Sequence, residues 1–249
     1  MARDNNEIST TAAPKFEVVS QPPPDGAYML DSVAITENGV TTTHTREQIK
    51  IYAQGRYMFA FDNEMLGGID VGAGNAIWSK GKMIEQPLHN HEGPLSGLSF
   101  EINIQQTDSG YEQILHGMTY DDGRVLDSMV EVWSRAPGSA SIFDGLWKLE
   151  SRKVGSIESV GFAEVKMIGG GHFALLQSQT AEGQKSTNFG YGQLTVGNGG
   201  QGKQTGLVGS WNNYSGLTTQ FKMELPDNQH LIQSFVVDNQ LISQSYVRL

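Results

Sequence analysis

The chain contains two copies of one pattern. Asp25–Ser32 (Asp-Gly-Ala-Tyr-Met-Leu-Asp-Ser) lines up with Asp144–Ser151 (Asp-Gly-Leu-Trp-Lys-Leu-Glu-Ser), and four further pairs of segments follow in the same order. These pairs are Ile49–Phe59 with Val165–Leu175, Ser96–Leu98 with Ser215–Leu217, Asp122–Val125 with Asp238–Leu241, and Glu131–Arg135 with Gln244–Arg248. The offset between partners stays between 113 and 119 residues, so the matches are not accidental. We therefore predict two homologous units, 23–136 and 142–249, after a flexible N-terminal tail over 1–22.

The apolar residues within each unit recur at every second position. They alternate with polar residues along 98–105, and again along 221–225 in the second unit. Turn-forming residues such as Asp-Ser-Gly at 108–110 recur about every 8–15 residues, which favours short antiparallel strands. Thr45–Lys50 is the one segment for which the sequence favours a short helix. The predicted fold class is all-β, with two tandem antiparallel β-barrels of about eight strands each.

Composition excludes several classes of function. The chain has 17 Lys and Arg against 27 Asp and Glu, and its net charge of −10 repels nucleic acid and anionic membrane surfaces. It has no cysteine, which excludes disulfides, thiol nucleophiles and cysteine-bound zinc. Its apolar runs are too short for a membrane span, and residues 1–7 do not form a signal peptide as they stand. The cellular compartment is left open.

Four motifs recur in both units and carry a family resemblance. They are a Gly-X-aromatic-X-Leu opening (Gly26–Leu30, Gly145–Leu149), a Lys-X-Ile/Met strand that turns at glycine, a Gly-rich step (Gly72–Gly74, Gly190–Gly192), and a closing Trp-X-Arg or Tyr-X-Arg. On these motifs each unit resembles the small lipocalin-like (calycin) domains of secreted or membrane-associated bacterial proteins. The resemblance implies a barrel that holds a small, largely apolar molecule, with a function that varies between members.

The sharpest polar pattern is His89-Asn-His91-Glu92. On a strand, His89 and His91 point to the same side and could ligate one metal ion. A cupin site would need a Glu where Leu95 and Ser96 stand, so that comparison fails. A polar surface loop and a pair of metal-free pocket residues are the alternatives. In the second unit this segment corresponds to Trp211–Tyr214, so one copy carries imidazoles where the other carries aromatic rings and amides.

His116 is the second candidate. The alternation places it on one face of a strand together with Ile114, Met118 and Tyr120, and its counterpart in the other unit is Ile232. An imidazole that replaces an apolar residue suggests an inward-facing side chain. It would serve either as a hydrogen-bonded core histidine or as a general acid or base.

The leading functional hypothesis is the binding of an apolar small molecule in a barrel or in the cleft between the barrels. The runner-up is a cofactor-free isomerase, cyclase or lyase on the same scaffold. A third hypothesis is a module that binds protein or glycan and whose barrels are filled by side chains; the volume of the pocket separates it from the other two. We predict no metal and no cofactor, and a homodimer is left open.

The predicted site residues fall into two groups. The predicted catalytic residues are His89, His91 and His116, and the predicted ligand contacts are Trp78, Met118, Tyr120, Trp133, Trp211 and Tyr214.

Overall fold

A computed structural model describes residues 21–63, 68–119 and 125–249 of the chain. The strands of the first barrel, barrel 1, are β1 (Gly26–Glu37), β2 (Val40–His44), β3 (Gln48–Ala53), β4 (Arg56–Phe61), β5 (Asp70–Ser79), β6 (Lys82–Asn90), β7 (Gly93–Pro94), β8 (Phe100–Gln106), β9 (Gly110–Thr119) and β10 (Val125–Arg135). The strand order is β10-β9-β8-β6-β5-β4-β3-β1, and pairing of β10 with β1 closes the barrel. The short strands β2 and β7 pair with β1 and β6.

The second barrel, barrel 2, repeats this arrangement. Its strands are β11 (Gly145–Val154), β12 (Ile157–Glu158), β13 (Phe162–Gly169), β14 (His172–Ala181), β15 (Gln184–Val196), β16 (Gln201–Gly209), β17 (Thr218–Glu224), β18 (His230–Val237) and β19 (Gln240–Arg248). Pairing of β11 with β19 closes it, and a 3₁₀ turn at Asn198–Gly200 precedes β16. The predicted fold class, all-β with two closed antiparallel barrels, is confirmed.

The predicted helix at Thr45–Lys50 is wrong, because β3 begins at Gln48. All six residues of β3 are buried. Lys50 and Tyr52 face the interior of barrel 1, whereas Ile49 and Ile51 pack outside it. Burial on both faces removes the alternation by which a half-buried strand is recognised.

The two barrels meet through the outer faces of equivalent strands. Ile49 and Ile51 of β3 share one apolar cluster with Val165 and Met167 of β13. The backbones come close because small residues lie at the contact: a Cβ added to Gly169 would lie 2.7 Å from Ile51 Cγ2. The interface therefore joins equivalent strands of the two repeats.

The closing strands explain two of the repeated motifs. Arg135 Cζ lies 5.8 Å from the ring centroid of Tyr28, and Arg248 Cζ lies 4.1 Å from that of Trp147. A Cβ on Gly26 would lie 2.9 Å from Arg135 Nη2. The opening motif therefore needs a glycine, because a Cβ at this position would collide with the guanidinium that packs on the aromatic ring.

Trp133 and Tyr246, the aromatic residues of the closing motifs, are both fully buried. Trp133 stacks on Tyr111, with ring centroids 6.1 Å apart. We expect Trp133→Ala to lower the free energy of unfolding by about 3–5 kcal/mol, because the cavity it leaves is enclosed on all sides. Denaturant unfolding measures this, and a loss below ~1 kcal/mol would contradict the buried position.

Candidate functional site

The middle of each barrel is filled by one buried lysine and its partners. In barrel 1, Lys50 Nζ lies 2.6 Å from Glu85 Oε1 and donates a 2.9 Å hydrogen bond to Gln113 Oε1. The Tyr52 hydroxyl donates to the same Glu85 oxygen at 2.7 Å. This polar packing occupies the space that a ligand would need at the centre of the barrel.

Barrel 2 places the equivalent ammonium of Lys166 in a different setting. Its Nζ lies 3.0 Å from Glu164 Oε1 and donates to Gln233 Oε1 at 2.8 Å and to the Tyr246 hydroxyl at 3.0 Å. Burial alone would raise the pKa of Glu164, but Lys166 and the hydrogen bond from Tyr246 outweigh it, so the pKa is lowered. The ion pair in barrel 2 is therefore well compensated.

Glu131 is a second buried carboxylate near Lys50 in barrel 1. It stands where barrel 2 has Gln244, as the pairings with Gln113 and Gln233 show. Burial raises its pKa, although the charges of Lys50 and Arg46 oppose the shift. The carboxylate of Glu131 is therefore poorly compensated for its depth.

Arg46 covers Glu131 at one end of barrel 1, which we call the mouth of barrel 1. Its Nη2 lies 3.3 Å from Glu131 Oε1, and its Nε donates to Gln48 Oε1 at 2.5 Å. Its guanidinium carbon lies 3.9 Å from the ring centroid of Phe61. Phe61 pairs with Asp70 across β4 and β5, so the rim combines an aromatic ring, a cation and two carboxylates.

Inward-facing apolar side chains remain partly exposed in barrel 1. Phe59, which pairs with Lys50, and Met129, which pairs with Ile35, are both half-buried. Their counterparts in barrel 2, Leu175 and Ile242, are each only 5% exposed. Solvent therefore reaches the interior of barrel 1 beside Phe59 and Met129, whereas the equivalent positions of barrel 2 are buried.

Trp211 and Tyr214 close the corresponding end of barrel 2. Their ring centroids lie 5.2 Å apart, and the rings fill a recess made by three glycines. A Cβ on Gly190 or Gly209 would lie 2.6 Å from the Tyr214 ring, and one on Gly206 would lie 2.8 Å from it. These two predicted ligand contacts thus occupy the recess themselves.

The loop of barrel 1 that contains Gly97 aligns with the loop of barrel 2 that contains Gly216, as the sequence predicted. Gly97 and Gly216, the middle residues of the two Ser-Gly-Leu segments, both have φ +78°. In that alignment the segment before Gly97 in barrel 1 carries Glu92 and Leu95 in place of the aromatic pair, and His91 stands where barrel 2 has Ser210.

The three predicted catalytic histidines lie in three different settings. His89 pairs with Ala73, a member of the inter-barrel cluster, so it lies on the outer face. Burial lowers its pKa, and the charge of Lys148 in barrel 2 adds to the shift.

His116 is exposed, so the expectation that it faces inward is wrong. The strand pairings match His116 with Val236, which is 61% exposed, and not with the predicted counterpart Ile232, which removes the reason for that expectation.

His91 is the histidine that lies at the mouth. Its Nδ1 is buried and has no hydrogen-bond partner among the described residues. Burial raises the pKa of the nearby Asp70 carboxyl, while the charges of His91 and Arg46 and a hydrogen bond with Asn63 oppose the shift. The charge of His91 therefore acts on the Asp70 carboxyl at the rim.

The other predicted contacts are distributed as follows. Trp133 is enclosed in the core, and Trp78 packs on that core opposite Met83, toward the end of barrel 1 away from the mouth. The backbone of Met118 pairs with Leu126, but its side chain and Tyr120 lie outside the described residues. Among the described residues, no three His, Asp or Glu side chains come together as a metal site.

Sequence reasoning missed Arg46, Asp70 and Glu131. Only Glu131 had a signal, because it replaces Gln244 within a matched segment. Arg46 lies in the connection between β2 and β3, and Asp70 is the first residue of β5, so no alternation marks either side chain as inward-facing.

The fold and this site define a two-barrel, all-β protein in which one end of barrel 1 is more open than the corresponding end of barrel 2. No family model matches the chain, and no curated protein matches it. The crystal structure of an uncharacterized protein of Saccharomyces cerevisiae, YLR301w, is similar with a TM-score of 0.45 and 11% identity. The match covers 88% of this chain and 97% of that chain, and at this level it carries no argument about function. In the described part of the chain, no helix has the length and apolar character needed to cross a bilayer.

The buried carboxylates Glu164 of barrel 2 and Glu131 of barrel 1 should respond differently to the same substitution by glutamine. Glu164→Gln should lower the free energy of unfolding at neutral pH by about 3–5 kcal/mol, because it leaves the buried Lys166 ammonium without a counter-charge. Glu131→Gln, which introduces the residue used by barrel 2, should raise the free energy of unfolding at neutral pH. The reason is that burial disfavours the Glu131 carboxylate in the folded state.

The pH dependence of the two variants should also differ. The raised folded pKa of Glu131 means that the gain from Glu131→Gln disappears as the pH falls through that pKa, where the wild-type carboxyl protonates. The lowered pKa of Glu164 means that its contribution is present at neutral pH and is lost on acidification. Urea unfolding as a function of pH measures both; equal destabilisation by the two substitutions would contradict the assignment.

Proposed function

We propose that the protein binds an apolar small molecule at the mouth of barrel 1. The observation that carries this proposal is the partial exposure of the inward-facing Phe59 and Met129, whose counterparts in barrel 2 are buried. Apolar surface that faces inward and stays open to solvent gains free energy when a ligand covers it. The same scaffold in barrel 2 covers this level with its own Trp211 and Tyr214.

Barrel 1 also has an open cleft, which is lined by residues other than those of the mouth. It has a volume of about 330 Å³ and lies between Gln86–Leu88 of β6 and the loop segment Leu95–Ser99. Leu98 in that loop is 46% exposed. A cleft of this size suits a small ligand, whereas the filled barrel centre around Lys50 does not.

The rim supplies the polar contacts that would orient a ligand. Arg46 presents a guanidinium over Phe61, and Asp70 and His91 lie beside them. We propose Phe59, Phe61 and Met129 as the apolar contacts. The predicted contacts Trp211 and Tyr214 stay a prediction for barrel 2, where a ligand would have to displace their rings.

The test uses Nile red, a neutral apolar dye whose fluorescence rises in an apolar site. Met129→Trp places a larger side chain in the mouth and should weaken dye binding by about tenfold or more, because the added ring fills the open space. Val236→Trp is the matched control, since Val236 is 61% exposed on barrel 2. Equal binding by Met129→Trp and wild type, or equal loss in both variants, would contradict the proposal.

Acid–base catalysis at the same mouth is a second candidate, favoured by the proximity of His91 and Asp70. Only His91 of the three predicted histidines lies there. The pair would move a proton to or from a bound apolar substrate without a cofactor.

This second function requires that the charge of His91 influence the protonation of Asp70. His91→Gln should raise the pKa of Asp70 further, because the charge of His91 lowers that pKa in the wild type. A carboxyl-carbon NMR titration measures the shift, and His116→Gln, at an exposed site, is the control. An unchanged Asp70 pKa in His91→Gln would remove the basis for this function.

A further inference from the structure

The strand β2 presents one edge that no described strand covers. It pairs with β1 through the registers Val33 with His44 to Glu37 with Val40. It forms the end of the sheet order beyond β1, and all five of its residues are exposed. An uncovered strand edge offers main-chain donors and acceptors to another extended segment.

The turn geometry shows which groups point outward. Asn38 and Gly39 have φ of 52° and 75°, as in a type I′ hairpin turn. In such a two-residue hairpin, the flanking Glu37 and Val40 form a hydrogen-bonded pair, and the pattern then alternates. The N–H and C=O groups of Thr41 and Thr43 therefore point away from β1, toward the uncovered side.

Barrel 2 does not share this feature. Its corresponding strand, β12, has only the two residues Ile157 and Glu158. Proteins protect edges by keeping them short or by placing charges or proline on them. β2 has five residues, Val-Thr-Thr-Thr-His, and uses none of these devices.

The charge of the surrounding barrel indicates the partner. The sequence from 23 to 136 carries 16 Asp and Glu against 7 Lys and Arg, whereas that from 142 to 249 carries 8 of each. Asp127 lies beside the hairpin and accepts a 3.1 Å hydrogen bond from the Gly39 N–H, and Glu47 is exposed just beyond β2. This excess of negative charge disfavours a second copy of barrel 1 at the edge and favours a cation.

We propose that the edge of β2 binds an extended basic segment of a partner protein by strand addition. Main-chain hydrogen bonds to Thr41 and Thr43 hold the segment, and its Lys or Arg side chains face the acidic surface of barrel 1. This interaction surface is independent of the ligand proposed for the mouth.

The probe is a fluorescently labelled peptide, acetyl-Lys-Val-Lys-Val-Lys-Val-Lys-amide, with fluorescence anisotropy as the readout. Thr43→Pro removes an outward N–H without breaking a hydrogen bond to β1, and should weaken binding by about tenfold. Thr43→Val keeps the N–H and is the matched control, with unchanged affinity expected. A peptide with Glu in place of each Lys should not bind.

A second variant guards against a folding defect in Thr43→Pro. Thr43→Lys keeps the backbone donor but adds a charge that repels the basic peptide, so it should also weaken binding. Equal affinity of wild type and both variants, or equal binding of the glutamate peptide, overturns the proposal. Sedimentation of the wild type as a dimer that Thr43→Pro converts to a monomer would show that a second copy occupies the edge, and would also overturn it.

Discussion

Each barrel is organised around one ammonium group that is shielded from water. Lys50 is 2% exposed and Lys166 is 3% exposed, and an unpaired charge at that depth would cost a large part of a domain's net stability. The side chains that face each lysine must therefore be carboxylates, amides or hydroxyls, and they must lie within hydrogen-bond distance. This requirement fills the centre of both barrels with polar groups, and it leaves only the ends for a ligand.

The same strands carry the opposite chemistry on their outer faces. β3 turns Lys50 inward and Ile49 and Ile51 outward, and β13 repeats this with Lys166 and Met167. A single barrel of this kind would expose these apolar side chains to water. The duplication covers them within the chain, because the second barrel packs on them.

The sequence predicted the parts of the structure that repeat. The duplication, the alternation in 98–105 and the hairpin turns were enough to predict two closed barrels, because they reflect local chemistry. The helix expected at Thr45–Lys50 and the inward position expected for His116 failed for one common reason. Both depend on which face of a strand is covered by a distant part of the chain, and burial on the outer face of β3 is invisible to a rule that assumes solvent there. Arg46 and Asp70 were missed because neither a connection nor the first residue of a strand shows periodicity.

Comparison of the two barrels separates what the fold needs from what it does not. The buried lysine, the closing aromatic residue and the arginine on the opening ring occur in both copies, and each is explained by packing. Three features occur in barrel 1 alone: the open level at Phe59 and Met129, the long edge of β2, and the excess of carboxylates. The first two lie at one end of the barrel, because β2 ends at His44, two residues before the Arg46 that covers Glu131. Since the barrel 2 copy folds without these features, the stability of a barrel does not require them, and for this reason we place the two proposed binding sites at the mouth and at the edge of β2.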